Sequence, residues 1–272
     1  MSGSFSDDPR SPKTMTLREQ DFYDRLAIFF DVMTDWQGRL AYEMPFLQRL
    51  LGQAGRRVLD AACGTGWHAM ALAKAGYDVT GADISPVMIA RARDNAQSQG
   101  ATAVFTVAAF QDLPAAAGTG FDALLCLGNS LVHVLGEDDL RRSLSAMATC
   151  LRPGGLLVVH NLNYDKRMVE KPRWFQVSSG AMDGQETLVW RFADYGDDGL
   201  IMFNIAVFQK AADGRWSLQV QSTPQRPWQS SELAGFVREA GFADVHFYGN
   251  LAGEPYTAGA SGDLVLTARR DS

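Results

Sequence analysis

The segment Val58-Leu59-Asp60-Ala61-Ala62-Cys63-Gly64-Thr65-Gly66 constrains this chain more than any other. Val58-Leu59-Asp60 reads as a short strand, and the glycines after it as a turn into a helix that Gly76 ends. Glycine in such a turn reaches positive φ and lets the backbone approach a ligand closely. The free N–H groups at the following helix N-terminus can bind polar ligand groups. A strand, a glycine turn and a helix in this order commit the chain to an α/β fold, whose ligands sit at the carboxyl ends of the strands.

The alternation continues. A second strand over 78–82 leads to Asp83, an acidic residue placed to accept hydrogen bonds from a ribose diol. Ser85-Pro86 start a helix that reaches Gln99, with serine as cap, proline in the first turn and Gly100 as stop. Strands over 102–107 and 121–127 follow. A helix over 137–151 ends at Pro153-Gly154-Gly155, before a fifth strand over 156–161. This pattern predicts a doubly wound, mainly parallel sheet covered on both faces.

Upstream, Phe22, Leu26, Phe29 and Phe30, then Phe46, Leu47, Leu50 and Leu51, recur at helical spacing and predict an N-terminal helical cap. Downstream, strand-like runs over 186–192, 200–209 and 216–222 are separated by Asp197-Asp198-Gly199 and Asp213-Gly214. They predict a small antiparallel β insertion after strand five. A helix over 230–240 and strands over 245–248 and 264–269 return to the main sheet. The expected organisation is a disordered tail over 1–16, a cap over 17–52, an α/β domain of 53–161 and 229–272, and an inserted sheet over 162–228.

Composition narrows the function. The 272 residues are 46% hydrophobic and 21% charged, ordinary values for a globular protein with a real core. A net charge of −6 argues against a nucleic-acid partner, which needs a basic face. No apolar run approaches the ~18 residues of a membrane span, and the polar N-terminus has no signal-like apolar region. Cys63, Cys126 and Cys150 have no metal-type spacing, and the 4 histidines are scattered. Free thiols in a cytoplasmic setting, with no metal site, are the expectation.

Two cofactor readings compete at the glycine turn. Gly64-Thr65-Gly66-Trp67-His68-Ala69 also fits the dinucleotide pattern G-x-G-x-x-A, so NAD stays open. Asp60, however, puts a carboxylate just upstream of the turn, near where a pyrophosphate would sit. A carboxylate there suits a cationic, amino-acid-type ligand better. A turn serving packing alone is the third reading.

Asp60-Ala61-Ala62-Cys63-Gly64-Thr65-Gly66 resembles motif I of the class I S-adenosylmethionine-dependent methyltransferases, and the Pro153-Gly154-Gly155 turn before strand five is typical of them. The likeness covers about residues 20–270. Cys126-Leu127-Gly128-Asn129-Ser130 with His133, Asn163-Tyr164-Asp165, and Gly38-Arg39 before Tyr42 are similar to the glycine and glycine/sarcosine N-methyltransferases. The resemblance implies a Rossmann-like sheet and in-line transfer of a methyl group from S-adenosylmethionine to the nitrogen or oxygen of a small molecule.

It further implies that Arg39, Asp60, Ala62, Gly64, Gly66, Asp83, Met88, Phe110, Gln111 and Leu127 surround the cofactor. Arg39 would pair with its carboxylate and Asp83 would hold its ribose hydroxyls. Met88, Phe110 and Gln111 would lie near the adenine. Asn129, His133 and Tyr164 would face the acceptor, with His133 as proton acceptor. The chain departs from that branch at Leu162, where those enzymes carry the arginine that clamps the substrate carboxylate, and at Val32, where they place a tyrosine. Glycine or sarcosine would then need another arginine, from among Arg167, Arg173, Arg191 and Arg226. An inert cofactor-binding module, with the inserted strands as a surface for homo-oligomers, is the alternative from a different class.

Overall fold

The computed structural model describes residues 15–16, 19–182 and 184–271. Most of the predicted tail, residues 1–14, lies outside them. The tail prediction is corrected at its end, where β1 (Met15–Thr16) is a short strand. The cap is two helices, α1 (Glu19–Phe30) and α2 (Trp36–Leu51). The helical run breaks before Asp35, whose carboxylate caps α2 by accepting the Gly38 N–H at 3.0 Å.

The main domain follows as β2 (Arg57–Ala61), α3 (Trp67–Lys74), β3 (Asp78–Asp83), α4 (Pro86–Gln99), β4 (Val104–Val107), α5 (Leu113–Ala117), β5 (Phe121–Cys126), α6 (Glu137–Cys150) and β6 (Leu151–Leu162). Beyond it come α7 (Tyr164–Glu170), then β7 (Ser178–Met182), β8 (Gln185–Tyr195), β9 (Ile201–Lys210) and β10 (Trp216–Gln225). The chain ends in α8 (Ser230–Glu239), β11 (Phe242–Tyr248) and β12 (Asp263–Arg270). Helix α7 and strand β7 had no clear periodic signal, being short and amphipathic only in context.

The main sheet has the order β11-β12-β6-β5-β2-β3-β4. All its pairings are parallel except those of β12, which runs antiparallel to β6 and β11. Strand order reverses between β2 and β5, so a crevice opens at their carboxyl ends. One face of the sheet packs Leu124, Leu144, Met147, Trp228 and Val237; the other packs Phe46, Leu47, Leu72, Ile89 and Phe105. Both faces are thus covered, as a parallel sheet requires.

The second sheet has the order β1-β10-β9-β8-β7, antiparallel except where β1 joins β10. Its buried Val189, Ile205 and Val207 pack against Phe22, Leu26 and Phe29 of α1. Cap and insertion therefore form one apolar layer. No helix of the described residues is long and apolar enough to cross a membrane.

Ser85 shows how local and tertiary signals combine. Its side chain accepts the Met88 N–H at 3.0 Å, capping α4, and donates to Asp24 of α1 at 2.5 Å. Ser85→Ala removes both bonds and should cost about 1–2 kcal/mol. In thermal denaturation this appears as a Tm lower by roughly 4 °C.

Candidate active site

The glycine turn closes β2 in a tight succession of left-handed residues: Ala62 at φ 63°, Gly64 at 54° and Gly66 at 85°. Gly66 precedes α3 directly and caps it. The Gly64 N–H donates to Asp83 Oδ2 and the Ser85 N–H to Asp83 Oδ1, both at 2.9 Å. Asp83 thereby ties the turn to the end of β3. Burial pushes its carboxyl up to about 6, against the pull of these two bonds.

Asp60 lies deeper, 1% exposed, and its Oδ2 has no hydrogen-bond partner. Burial, helped by the Asp83 charge, raises its carboxyl to about 7, while Arg39 and the Ala69 backbone N–H draw it down. A buried carboxylate oxygen with nothing to accept is costly unless a ligand supplies a donor.

Two cavities open at the carboxyl edge. The first, about 330 Å³, is walled by Ala62, Ile84, Ala108, Ala109, Phe110, Gln111, Val134 and Leu135. The second, about 360 Å³, lies under the cap and the inserted sheet. Phe22, Tyr23, Phe30, Arg39, Gly128, Asn129, Leu162, Phe175, Arg191 and Phe203 are among its walls. His133 lines both.

His133 sits in a network at that junction. The Tyr23 hydroxyl is 2.8 Å from its Nε2, and Gln225 Nε2 is 3.5 Å away. Burial pushes the imidazole down to about 4, so it is neutral at physiological pH. Asn129, at φ 69°, accepts the Leu162 N–H at 3.0 Å and donates to the Tyr164 hydroxyl at 3.0 Å. The Gly128-Asn129 turn is pinned from β6: the Gly128 N–H donates to His160 Nδ1 at 3.3 Å, and the Asn129 N–H to the His160 carbonyl at 2.9 Å.

At the other end of the second cavity, Arg39 Nε donates to Glu43 Oε1 at 2.9 Å, and His68 Nε2 lies 2.5 Å from Glu43 Oε2. His68 and Arg39 hold the Glu43 carboxyl down at about 2, although burial opposes them. Arg39 Nη2 lies against Gly128, 3.7 Å from where a Cβ would stand. Asp31 latches the cap loop to the glycine turn: its Oδ1 accepts from Thr65 at 2.8 Å and from Trp36 and Trp67 at 3.0 Å each.

Residues 58–155 match the family model of a methyltransferase domain. The glycine/sarcosine N-methyltransferase of Parasynechococcus marenigrum is 30% identical over 247 residues, which is 90% of this chain and 84% of that enzyme. The chain belongs to the class I S-adenosylmethionine-dependent methyltransferases. The rabbit (Oryctolagus cuniculus) glycine N-methyltransferase is 37% identical over 145 residues, 48% of this chain and 49% of that one. Among solved structures, a methyltransferase from Clostridium acetobutylicum superposes with a TM-score of 0.72 at 16% identity, covering 93% of this chain and 98% of that one. A sugar N-methyltransferase from a Streptoalloteichus species superposes with 0.68 at 22% identity, covering 99% and 100%. These two share the fold.

The residues present fit the cofactor of this methyltransferase. Among the described residues, Asp60 Oδ2, which lies behind the turn outside both cavity walls, has no donor and could take an ammonium; Arg39 has donors beyond its Glu43 bond for a carboxylate; and the first cavity offers a partly apolar slot to an adenosine. Of the residues singled out from sequence, Ala62, Phe110 and Gln111 line that slot, Arg39 and Asn129 line the second cavity, and His133 lines both. Gly64 and Gly66 shape the turn without lining either cavity.

Five of the residues singled out from sequence sit away from the cavities or take on a further task. Met88 and Leu127 are buried, 1% and 4% exposed, and wall neither cavity; Met88 packs where α4 begins. Asp83 has a further task, holding the turn through one backbone donor on each oxygen, which leaves acceptor capacity on both oxygens for a ribose diol. Tyr164 is buried behind Asn129 and reaches the cavity through its bonds to Asn129 and Gln225. Burial disfavours the His133 cation and so weakens the basicity that a proton acceptor would use.

Sequence reasoning passed over Tyr23, Glu43, His68, His160 and Gln225. Glu43 had one legible signal, its position four residues after Arg39 on a helix. The others come from distant segments and had none.

Proposed function

We propose that this methyltransferase N-methylates a small-molecule amine held in the second cavity, with the adenosine of the cofactor in the first. The observation that carries this reading is the meeting of the two cavities at one neutral histidine. When bound, S-adenosylmethionine supplies a methyl group activated by its sulfonium, whose C–S electron pair stays on sulfur as the acceptor nitrogen takes the methyl.

The chain's own residues then have separate tasks. Arg39, fixed by Glu43 and His68, binds the carboxylate, and Asp60 takes the ammonium. A neutral His133 adds no positive charge beside a cationic centre. The apolar walls of Phe22, Phe30, Phe175 and Phe203 disfavour a protonated amine, so the acceptor reaches the methyl with its lone pair free. Asn129, oriented by the Leu162 backbone and by Tyr164, aligns that nitrogen. The N-methylammonium formed gives up its proton to water on release.

The test is transfer of labelled methyl from S-adenosylmethionine to a panel of amines: glycine, sarcosine, larger amino acids and amines without a carboxylate. Transfer to at least one amine is expected, while failure across the panel with S-adenosylhomocysteine bound would sink the reading. Asn129→Gly keeps the positive φ and deletes the carboxamide. It should lower kcat about 10²-fold and leave S-adenosylhomocysteine affinity nearly unchanged. An unaltered kcat would remove Asn129 from the reaction.

A further inference from the structure

The second cavity contains a cation that no carboxylate among the described residues neutralises. Arg191 lies on β8 between Val189 and Ala193, which are 0% and 2% exposed, on the strand face that turns inward. Across the pair it stands opposite Ile205 of β9. Its side chain enters the cavity beside Phe175 and Phe203, with the guanidinium carbon 5.8 Å from the Phe175 ring centre. The Nε is buried with no hydrogen-bond partner, and among the described residues no carboxylate pairs with this arginine. An inward arginine on an apolar strand face is costly, and the contact with the Phe175 ring offsets only part of the cost.

The other arginines near the insertion are engaged or turned away. Arg173 pairs with Asp194 at 2.7 Å, and Arg226 with Glu232 at 3.0 Å. Arg167 lies over Phe175 at 4.8 Å, interacts with the Tyr195 hydroxyl and does not line the cavity. Within the cavity, Arg39 is paired with Glu43, His133 is neutral and His160 lies 3.6 Å from Asp263, whereas Arg191 has no carboxylate beside it among the described residues. Leu162 lines the same cavity as an apolar wall, so the charge in this cavity comes from the inserted sheet and not from the end of β6.

We propose that Arg191 clamps a carboxylate of the acceptor, and that the acceptor is an amino acid with an apolar body resting against Phe22, Phe30, Phe175 and Phe203. This rests on the second cavity being the acceptor site. Guanidinium and carboxylate match as planar, doubly hydrogen-bonding partners, and an apolar surround strengthens the pair. A free glycine would reach the clamp but leave the aromatic walls uncovered.

The experiment uses the full chain saturated with S-adenosylhomocysteine. Calorimetry and thermal shift are measured with acetate, hexanoate, phenylacetate and 3-phenylpropanoate, and with the amides of the last two. Apolar carboxylates should bind and raise Tm, while acetate and the amides should not. Arg191→Met should weaken carboxylate binding at least about tenfold, with S-adenosylhomocysteine affinity unchanged. Without ligand, Arg191→Met should also raise Tm by roughly 2 °C, since the unpaired cation is gone; a residue serving structure would lower it. Arg191→Lys should bind carboxylates at an intermediate level, because it keeps the charge and loses the fork.

Carboxylates that bind Arg191→Met as well as the natural protein, or none that binds the S-adenosylhomocysteine complex, overturn the clamp. Failure of S-adenosylhomocysteine itself to bind would instead overturn the functional reading beneath it.

Discussion

Asp60→Asn should weaken S-adenosylhomocysteine binding about 10²-fold, the usual size of a lost hydrogen bond to a charged group, and at the same time stabilise the ligand-free protein near neutral pH. Both effects follow from one unpartnered oxygen. The Asp60 carboxyl is raised from the ordinary 3.8 to about 7, chiefly by burial. Between those values the folded protein binds a proton that the unfolded chain has released. Stability contributed by this group is therefore full below pH 3.8 and is lost as pH rises through about 7. Asparagine keeps the shape and removes the titration, so unfolding of the variant followed from about pH 4 to 8 should lack that fall.

Binding runs the other way. The ionised carboxylate attracts the cofactor's ammonium, so natural-protein affinity should climb as pH rises through about 7 and then level, while the variant stays flat. Isothermal titration across that range reads it directly. If affinity and both pH profiles match those of the natural protein, Asp60 is a structural acceptor for the Ala69 N–H and no more.

Gly66→Val should cost about 3–5 kcal/mol, enough to unfold a marginal domain or lower its Tm by roughly 10 °C. Two independent effects add. Gly66 holds φ at +85°, where a β-branched side chain is strained. A Cβ there would also stand 2.9 Å from Phe105 Cζ and 3.0 Å from Ala92 Cβ, so the turn, β4 and α4 would have to separate. Gly100→Ala is the control. Gly100 has φ +61° with nothing within 4 Å of an added Cβ, so it should show the backbone strain alone, about 1 kcal/mol. Equal losses in the two variants would mean that close packing under the turn contributes nothing.

The architecture was legible because its signals are local. The Ser85 cap, the Gly100 stop and the Gly64-Thr65-Gly66 turn each act within a few residues, and the structure places α4 and α3 accordingly. The alternation of strands and helices did the rest, since buried parallel strands are short apolar runs wherever they occur. The misses have the opposite character. Strand β7 has almost no buried face of its own, so neither composition nor period marked it. The resemblance set Met88 near the adenine, but the turn of α4 directs it into the core.

The site divides along the same line. By itself the sequence determined a doubly wound α/β domain, a glycine turn flanked by Asp60 and Asp83, and a cap and insertion on either side, because periodicity, turns and caps depend on neighbours along the chain. Only the tertiary structure decided that His133 joins two cavities and is kept neutral, and that Glu43 and His68 fix Arg39. It also decided that Arg191, one of four arginines indistinguishable in sequence, faces the cavity without a partner. Those facts depend on burial and on contacts between segments far apart in the chain, and desolvation and charge pairing take their size from that environment.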